Sequence, residues 1–399
     1  MLFLEVREMP EEQEISTFAL EPEQVVDFLI SYYFSRPDAP VFLVGRHGIG
    51  KSRSVYDATR KIAKMMGREF IDYDDTVADK ILENPDKYFV FVDFRLTETE
   101  PADLIGIPRP ENGHVVYKPL KWAVVLSKVP GILFLDELNM IQRPDVEAVS
   151  FKILNDKKVG FTKLLDSEEA WVMIVAAGNE PKENPLAKYL TAPAMGRIMK
   201  VDVKTPSVDS WIKWMSATYG EDWDRVVGAF LKKYSHFFVK NPDSSRTLNV
   251  YPEPRKWTKL ALVSHKLNDW KLRVAARGLV GAEAAEHFMV FRSMKIPDEE
   301  VVLKNPEVFS SLNMDAQRLL IAQIAMNFDV KKLEKYKKFI DWLHDNDKEA
   351  LLILMLMMSR DDLKTMLKYS LKNADWSHVL SFAVKTEKIA IEIESLSRW

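Results

Sequence analysis

The sequence predicts an α/β fold: a five-stranded parallel sheet flanked by helices, followed by an all-helical region. Three observations carry this. Short apolar runs rich in β-branched and aromatic residues alternate with helix-spaced segments between Val41 and Val203. Continuous rather than alternating hydrophobicity marks strands buried on both faces, the signature of a parallel sheet. One run enters a glycine-rich loop and another closes in two carboxylates, both at strand ends, where open sheets put their chemistry. From Ser207 onward the apolar spacing is helical throughout.

Met1 to Glu14 reads as a short strand and an acidic loop, and Glu21 to Phe34 as a helix with Val25, Val26, Leu29 and Ile30 on one face. Val41 to Val44 is the first buried strand, and Val55, Ala58, Ile62 and Met65 give the next helix its apolar face. The acidic stretch Asp72 to Asp86 reads as surface, and Tyr88 to Phe94 as the second strand. Thr97 to Pro119, rich in Pro, Gly and Glu, is a long loop of the functional kind with a small hairpin at Gly113 to Tyr117. The strand from Gly131 to Leu135, the helix from Val146 to Leu154 and a charged hairpin from Val159 to Ala170 follow. The last two strands are Trp171 to Ala177 and Ile198 to Val203.

The expected helices beyond are Ser207 to Tyr219, Asp222 to Tyr234, Glu253 to Trp270, Glu283 to Phe291, Met314 to Phe328, Val330 to His344, Lys348 to Ser359 and Asp361 to Leu371. Pro242, Pro252 and the polar residues between them make Val239 to Glu253 a loop. Trp211, Trp214, Trp257, Trp270, Trp342 and Trp376 are read mostly as core residues of these helices.

With 399 residues, 47% of them hydrophobic and 29% charged, the chain exceeds one ordinary core and divides into two or three domains. A formal charge of -3 supplies no global attraction to nucleic acid or to an anionic membrane. Zero cysteines exclude disulfides, thiol catalysis and cysteine-based zinc sites, and fit an intracellular, cytoplasmic setting. The N-terminus is too acidic for a signal peptide, and the longest apolar run, Ala350 to Met358, is far too short to span a membrane.

Gly45 to Ser52 fits the phosphate-loop pattern G-x-x-x-x-G-K-[ST], so Gly45, Arg46, His47, Gly48, Ile49, Gly50, Lys51, Ser52 and Arg53 form the expected nucleotide-binding loop. Glycines let backbone N–H groups turn toward an anion, and the following helix aims its positive end at the same point. Lys51 is suited to the β- and γ-phosphates, and the Ser52 hydroxyl to Mg²⁺. Asp136 and Glu137 end a strand in adjacent carboxylates, fit respectively to hold Mg²⁺ and to orient or deprotonate the attacking water. Carboxylates also cap helices, so position after a phosphate loop is what gives the pair its meaning. Asn179 ends another strand, where it either bonds the γ-phosphate or the water, or makes a turn beside Gly178. His114 in the Thr97 to Pro119 stretch reads as an ordinary turn residue rather than a metal ligand.

With these residues identified, the chain resembles an AAA+ ATPase, and more narrowly the MoxR and dynein-related branch. Asp136-Glu137-Leu138-Asn139, Asp103-Leu104-Ile105-Gly106 and Ala176-Ala177-Gly178-Asn179 stand in the order and spacing of that branch's Walker B, preceding, and sensor elements, over roughly the first half of the chain. The resemblance implies Lys51 and Ser52 as the Walker A pair, Ser52 and Asp136 as the metal residues, and Glu137, Asn179, Arg197 and Arg255 as catalytic base, sensor 1, arginine finger and sensor 2. Arg197 is followed by Ile198 where phenylalanine is usual in the family. It implies an AAA+ nucleotide-binding core over residues 1–205, a helical lid over 206–304 and a C-terminal helical extension over 305–399. It further implies a Mg²⁺-dependent ATP hydrolase that assembles as a homo-oligomer, a hexameric ring, and remodels or assembles a protein client, with a von Willebrand A-type partner. The alternative function is a nucleic-acid-processing motor or restriction-type component. In relatives the Thr97 to Pro119 insert and the Val159 to Ala170 hairpin meet the client, which here would involve Lys157, Lys158, Phe161 and Lys163.

Overall fold

The computed structural model describes residues 18–182, 184–241 and 248–386, so the strand and loop expected for Met1 to Glu14 lie outside the described residues. The chain divides into two compact units, Met1–Thr205 and Pro206–Trp399. In the first, the strands are β1 (Val41–Gly45), β2 (Glu69–Asp72), β3 (Tyr88–Arg95), β4 (Ile107–Glu111), β5 (His114–Lys118), β6 (Gly131–Asp136), β7 (Lys158–Val159), β8 (Thr162–Lys163), β9 (Val172–Gly178) and β10 (Met199–Val203). The helices are α1 (Pro22–Ser35), α2 (Lys51–Met65), α3 (Ala78–Glu83), α4 (Pro101–Ile105), α5 (Lys121–Leu126), α6 (Pro144–Asp156) and α7 (Ala192–Met195).

Six strands form one parallel sheet in the order β10-β1-β9-β6-β3-β2. The five expected strands are all there, and β2 adds a sixth at the edge. Its residues are exposed or half-buried, so it lacks the apolar run that betrays a central strand. The adjoining acidic stretch is not wholly surface, because α3 buries Ala78 and Ile81.

Alternate residues along each strand feed two apolar layers. Leu43, Phe91, Phe134 and Val175 pack with α1 and α2 on one face; Phe42, Val92, Leu133 and Ile174 pack with α3, α5 and α6 on the other. Each fully buried Val, Leu or Phe contributes roughly 1.5–3 kcal/mol, which is why these runs tolerate almost no polar residue before their last position. β1 lies between β9 and β10, although the chain leaves β1 for the far edge and reaches β10 last. The loop after β1 therefore opens at a topological switch point, the crevice where such sheets bind ligands.

The long insert expected as a loop is structured: α4 leads into the β4–β5 hairpin, which is longer than the Gly113 to Tyr117 turn predicted. The second hairpin, β7–β8, is pressed against it. A Cβ at Gly160, φ +56°, would lie 3.6 Å from the Ile105 side chain, and the Tyr117 and Phe161 rings meet at 5.8 Å.

The second unit is helical: α8 (Val208–Tyr219), α9 (Arg225–Lys233), α10 (Pro254–Val263), α11 (Asp269–Val280), α12 (Ala282–Arg292), α13 (Glu299–Lys304), α14 (Glu307–Ser311), α15 (Met314–Met326), α16 (Leu333–Asn346), α17 (Lys348–Met357), α18 (Arg360–Lys372) and α19 (Ser377–Lys385). The single helix expected from Glu253 to Trp270 is broken by a 3₁₀ turn at Ser264–Lys266, after which Asn268 caps α11 through the Lys271 N–H. One continuous core runs from Trp211 in α8 to Ala383 in α19. Trp211, Trp257 and Trp376 are buried in it, whereas Trp270 is 64% exposed, contrary to the core role expected. Arg225 is buried without a carboxylate partner in hydrogen-bonding contact; its guanidinium donates to the carbonyls of Gly220, Glu221, Trp223 and Met357. Among the described residues no helix is long and apolar enough to cross a membrane.

Candidate functional site

The loop between β1 and α2 turns at Gly48 (φ +75°) and Gly50 (φ +108°), both in conformations that a side chain would strain. Gly45 lies so close to β10 that a Cβ would overlap the Val203 carbonyl oxygen. α2 begins at Lys51 with no side-chain cap and no acidic residue in its first turn. An anion is the natural complement of such a helix start, so the cradle fits a phosphate.

Lys51 is buried, and its Nζ donates to the Gly45 carbonyl at 2.7 Å, the Arg46 carbonyl at 2.7 Å and Asn179 Oδ1 at 3.2 Å. Ser52 Oγ donates to Asp136 Oδ2 at 2.7 Å. Thus Lys51, Ser52, Asp136 and Asn179, drawn from three elements separated in sequence, come together at the carboxyl ends of β1, β6 and β9. Arg46 is half-buried and His47 exposed in the same loop, and Ile49 is buried beneath it. Arg53 faces along α2, paired with Asp57 at 3.0 Å and lying over the Tyr56 ring.

Glu137 has a left-handed backbone (φ +62°), uncommon for a residue with a side chain. Its N–H donates to Asp136 Oδ1 at 2.9 Å. Thr97 Oγ1 donates to Glu137 Oε2, and Arg95 Nε lies 3.8 Å from Oε1. Arg95 in turn stands beside Asp136 in the β3–β6 register.

Asp93, also on β3, has its carboxyl pushed up to about 6 by burial, with a further push from the Asp136 charge, partly offset by Arg95. Like charges crowd this corner, and a divalent cation held by Asp136 and the Ser52 hydroxyl would relieve them. The donor set is one carboxylate and one hydroxyl, which suits Mg²⁺, an ion that keeps most of its waters. Among the described residues no group of three or more His, Cys, Asp or Glu is placed to hold a metal ion.

Arg197 follows α7 and is exposed; its N–H bonds the Ala194 carbonyl, and no described contact joins its side chain to Lys51, Asp136 or Asn179. Arg255 is exposed in the first turn of α10, in the second unit. Sequence reasoning missed Thr97, Arg95 and Asp93. Their only available signal was position at the end of an apolar strand, the same place that singles out Asp136 and Asn179.

No family model matches the chain, and no curated protein matches it. Among solved structures it is similar to NtrX from Brucella abortus in complex with ADP, at 15% identity, over 87% of this chain and 67% of that one, with a TM-score of 0.32. It is similar also to the Aeropyrum pernix ORC2 protein in ADPNP–ADP complexes, at 12% identity over 81% and 84% of the two chains, TM-score 0.34. PCH-2 of C. elegans is 10% identical over 76% of this chain and 70% of that one, TM-score 0.29.

Proposed function

We propose that this protein is a Mg²⁺-dependent ATPase of the AAA+ class, of the MoxR-like branch, that works as a homo-oligomeric ring on a protein client. The observation that carries the reading is the convergence of Lys51 and Ser52, at a helix start without an acidic cap, with Asp136 and Asn179 from two neighbouring strands.

In this reading the amides of Arg46 to Arg53 and the Lys51 ammonium bind the phosphates. Mg²⁺, held by Ser52 and Asp136, supplies electrostatic stabilisation of charge on the phosphate oxygens. Glu137 takes the proton of the attacking water, and Asn179 orients that water or the terminal phosphate. Arg197, exposed beside β10, reaches the phosphates bound by a neighbouring subunit, and Arg255, within residues 206–304, is the sensor 2 candidate. An arginine supplied in trans is worth about 10³–10⁵ in rate, so hydrolysis depends on assembly, and a closed head-to-tail ring such as a hexamer is the arrangement that supplies it to every site.

The client surface is the pair of hairpins. Val115, Tyr117 and Phe161 are 68%, 40% and 83% exposed there, beside Lys158 and Lys163, in a protein that could have buried or replaced them. A von Willebrand A-type domain is a further partner, and the cytoplasm the expected compartment.

The test is phosphate release from MgATP by the full chain, with mass by light scattering. Wild-type protein turns over only when assembled, and Glu137→Gln assembles but loses turnover by about 10²–10⁴. A wild-type protein that assembles with MgATP and releases no phosphate would overturn the reading. Stimulation by DNA or RNA that falls steeply with salt would transfer it to a nucleic-acid motor.

A further inference from the structure

Asn139 makes contacts that none of these roles uses. It lies in the 3₁₀ turn Leu138–Met140, directly after Glu137, and is 4% exposed. Its Oδ1 accepts from the Asn179 N–H at 3.0 Å, and its Nδ2 donates to the Asn179 carbonyl at 2.7 Å and to the Lys188 carbonyl at 3.2 Å. Its own carbonyl accepts from the Lys188 N–H at 2.7 Å. Donor and acceptor ends of the carboxamide are both used, so only one orientation of the amide satisfies the set. Gly178 makes room for it: a Cβ there would overlap Oδ1 and come within 2.8 Å of the Phe42 ring.

The two residues just past this turn hold the same later stretch at two more points. Lys188 Nζ donates to the Ile141 carbonyl at 2.7 Å, and Gln142 Nε2 to the Leu186 carbonyl at 3.2 Å. Leu186 and Tyr189, beside these anchors, are 60% and 78% exposed. On its other side Asn139 fixes the main chain of Asn179, whose Oδ1 accepts from Lys51.

An ammonium has three donors, and those of Lys51 are directed at Gly45, Arg46 and Asn179. A phosphate that bonds this ammonium competes with these oxygens, and Asn179 Oδ1, at 3.2 Å, is the farthest of the three. Asn179 is held to the turn by its main chain on Asn139 and by its Nδ2 on Met140 Sδ at 2.7 Å, so a main-chain shift at Asn179 carries Asn139 with it, because leaving a buried amide unpaired costs about 1–3 kcal/mol.

We propose that Asn139 is a positioning residue that ties residues 184–189 to the phosphate site, so that phosphate binding at Lys51 is transmitted through the Asn179 main chain to the surface bearing Leu186 and Tyr189. The proposal rests on the ATPase reading and adds to it a segment that responds to nucleotide. No bond to the phosphate is made by Asn139 itself.

The experiment is hydrogen–deuterium exchange on the full chain, with and without Mg²⁺ and a non-hydrolysable ATP analogue, together with kcat and KM. In wild type, analogue binding alters exchange in the peptides covering both 46–53 and 184–190. In Asn139→Ala the response at 46–53 persists and KM stays within about threefold, but the response at 184–190 disappears and kcat falls at least about tenfold, the size expected for one lost buried pairing. The double variant Gln142→Ala/Lys188→Met, which removes the two outer anchors and leaves the Asn139 bonds in place, keeps the response at 184–190; its loss there would assign the transmission to those anchors and overturn the role of Asn139. Wild-type protein that binds the analogue at 46–53 and shows no change at 184–190 overturns this inference alone. Failure to bind any nucleotide overturns it together with the ATPase reading.

Discussion

Ser52 Oγ and Asp136 Oδ2 are joined by a 2.7 Å hydrogen bond that closes the first turn of α2 onto the end of β6. Two groups that would share a metal ion already share a proton, so the ion needs little rearrangement to enter. Ser52→Ala and Asp136→Asn are each expected to weaken MgATP binding by about 10–100-fold, the value of a hydrogen bond or ligand to a charged group, while changing metal-free ATP binding much less. Lys51→Ala weakens both. Titration calorimetry with and without Mg²⁺ separates the two patterns, and equal losses for all three variants would exclude the metal role.

Thr97 occupies one oxygen of Glu137, and Arg95 stands near the other. A base that must accept a proton is less available when its oxygens are engaged. Thr97→Val should therefore raise basal turnover a few-fold, about 2–5-fold, with ATP affinity unchanged, whereas Glu137→Gln abolishes turnover in the same background. A lower turnover in Thr97→Val would mean that the contact holds Glu137 in its working position instead.

Gly178→Ala meets an obstacle that cannot step aside, because the Asn139 amide is pinned by three partners and the Phe42 ring lies 2.8 Å from the added carbon. Overpacking of this kind costs about 1–3 kcal/mol. For a unit of this size that corresponds to about 2–4 °C in Tm per kcal/mol, readable by calorimetry.

Tyr33 is buried against Trp171, its hydroxyl donating to the Trp171 carbonyl at 3.2 Å, and burial pushes the phenol from 10.0 up to about 12. The folded state thus holds this proton more tightly than the unfolded chain. Its contribution is complete below pH 10 and is lost as pH rises from 10 toward 12. Tyr33→Phe should cost about 0.5–1.5 kcal/mol at pH 7 and flatten the decline in stability above pH 10, measured by urea unfolding across that range.

Much of the sheet was legible because parallel strands buried on both faces must be apolar along their length, as in Ile132 to Leu135 and Val172 to Ala177. β2 was not, since an edge strand can leave Glu69 and Asp72 in water. Lys51, Ser52 and Asp136 stood out because the phosphate and metal chemistry proposed for them restricts the residue type at each position. Thr97 and Arg95 escaped because their relation to Glu137 depends on the β3–β6 register, a fact about neighbours in space. α11 was hidden by a different cause: the break at Ser264–Lys266 carries no proline or glycine, and only the Asn268 cap marks the restart.

The shared interior of the helical unit makes its tail indispensable. α9 packs on α15, the Ser216 hydroxyl bonds the Leu356 carbonyl, and the Arg225 guanidinium reaches Met357. A gene shortened to end at Lys304 would uncover Phe230 and its neighbours and strip one carbonyl from a sequestered cation. Such a product should be insoluble, and anyone trimming this protein to its first unit would do better to cut after Thr205 than within the helices.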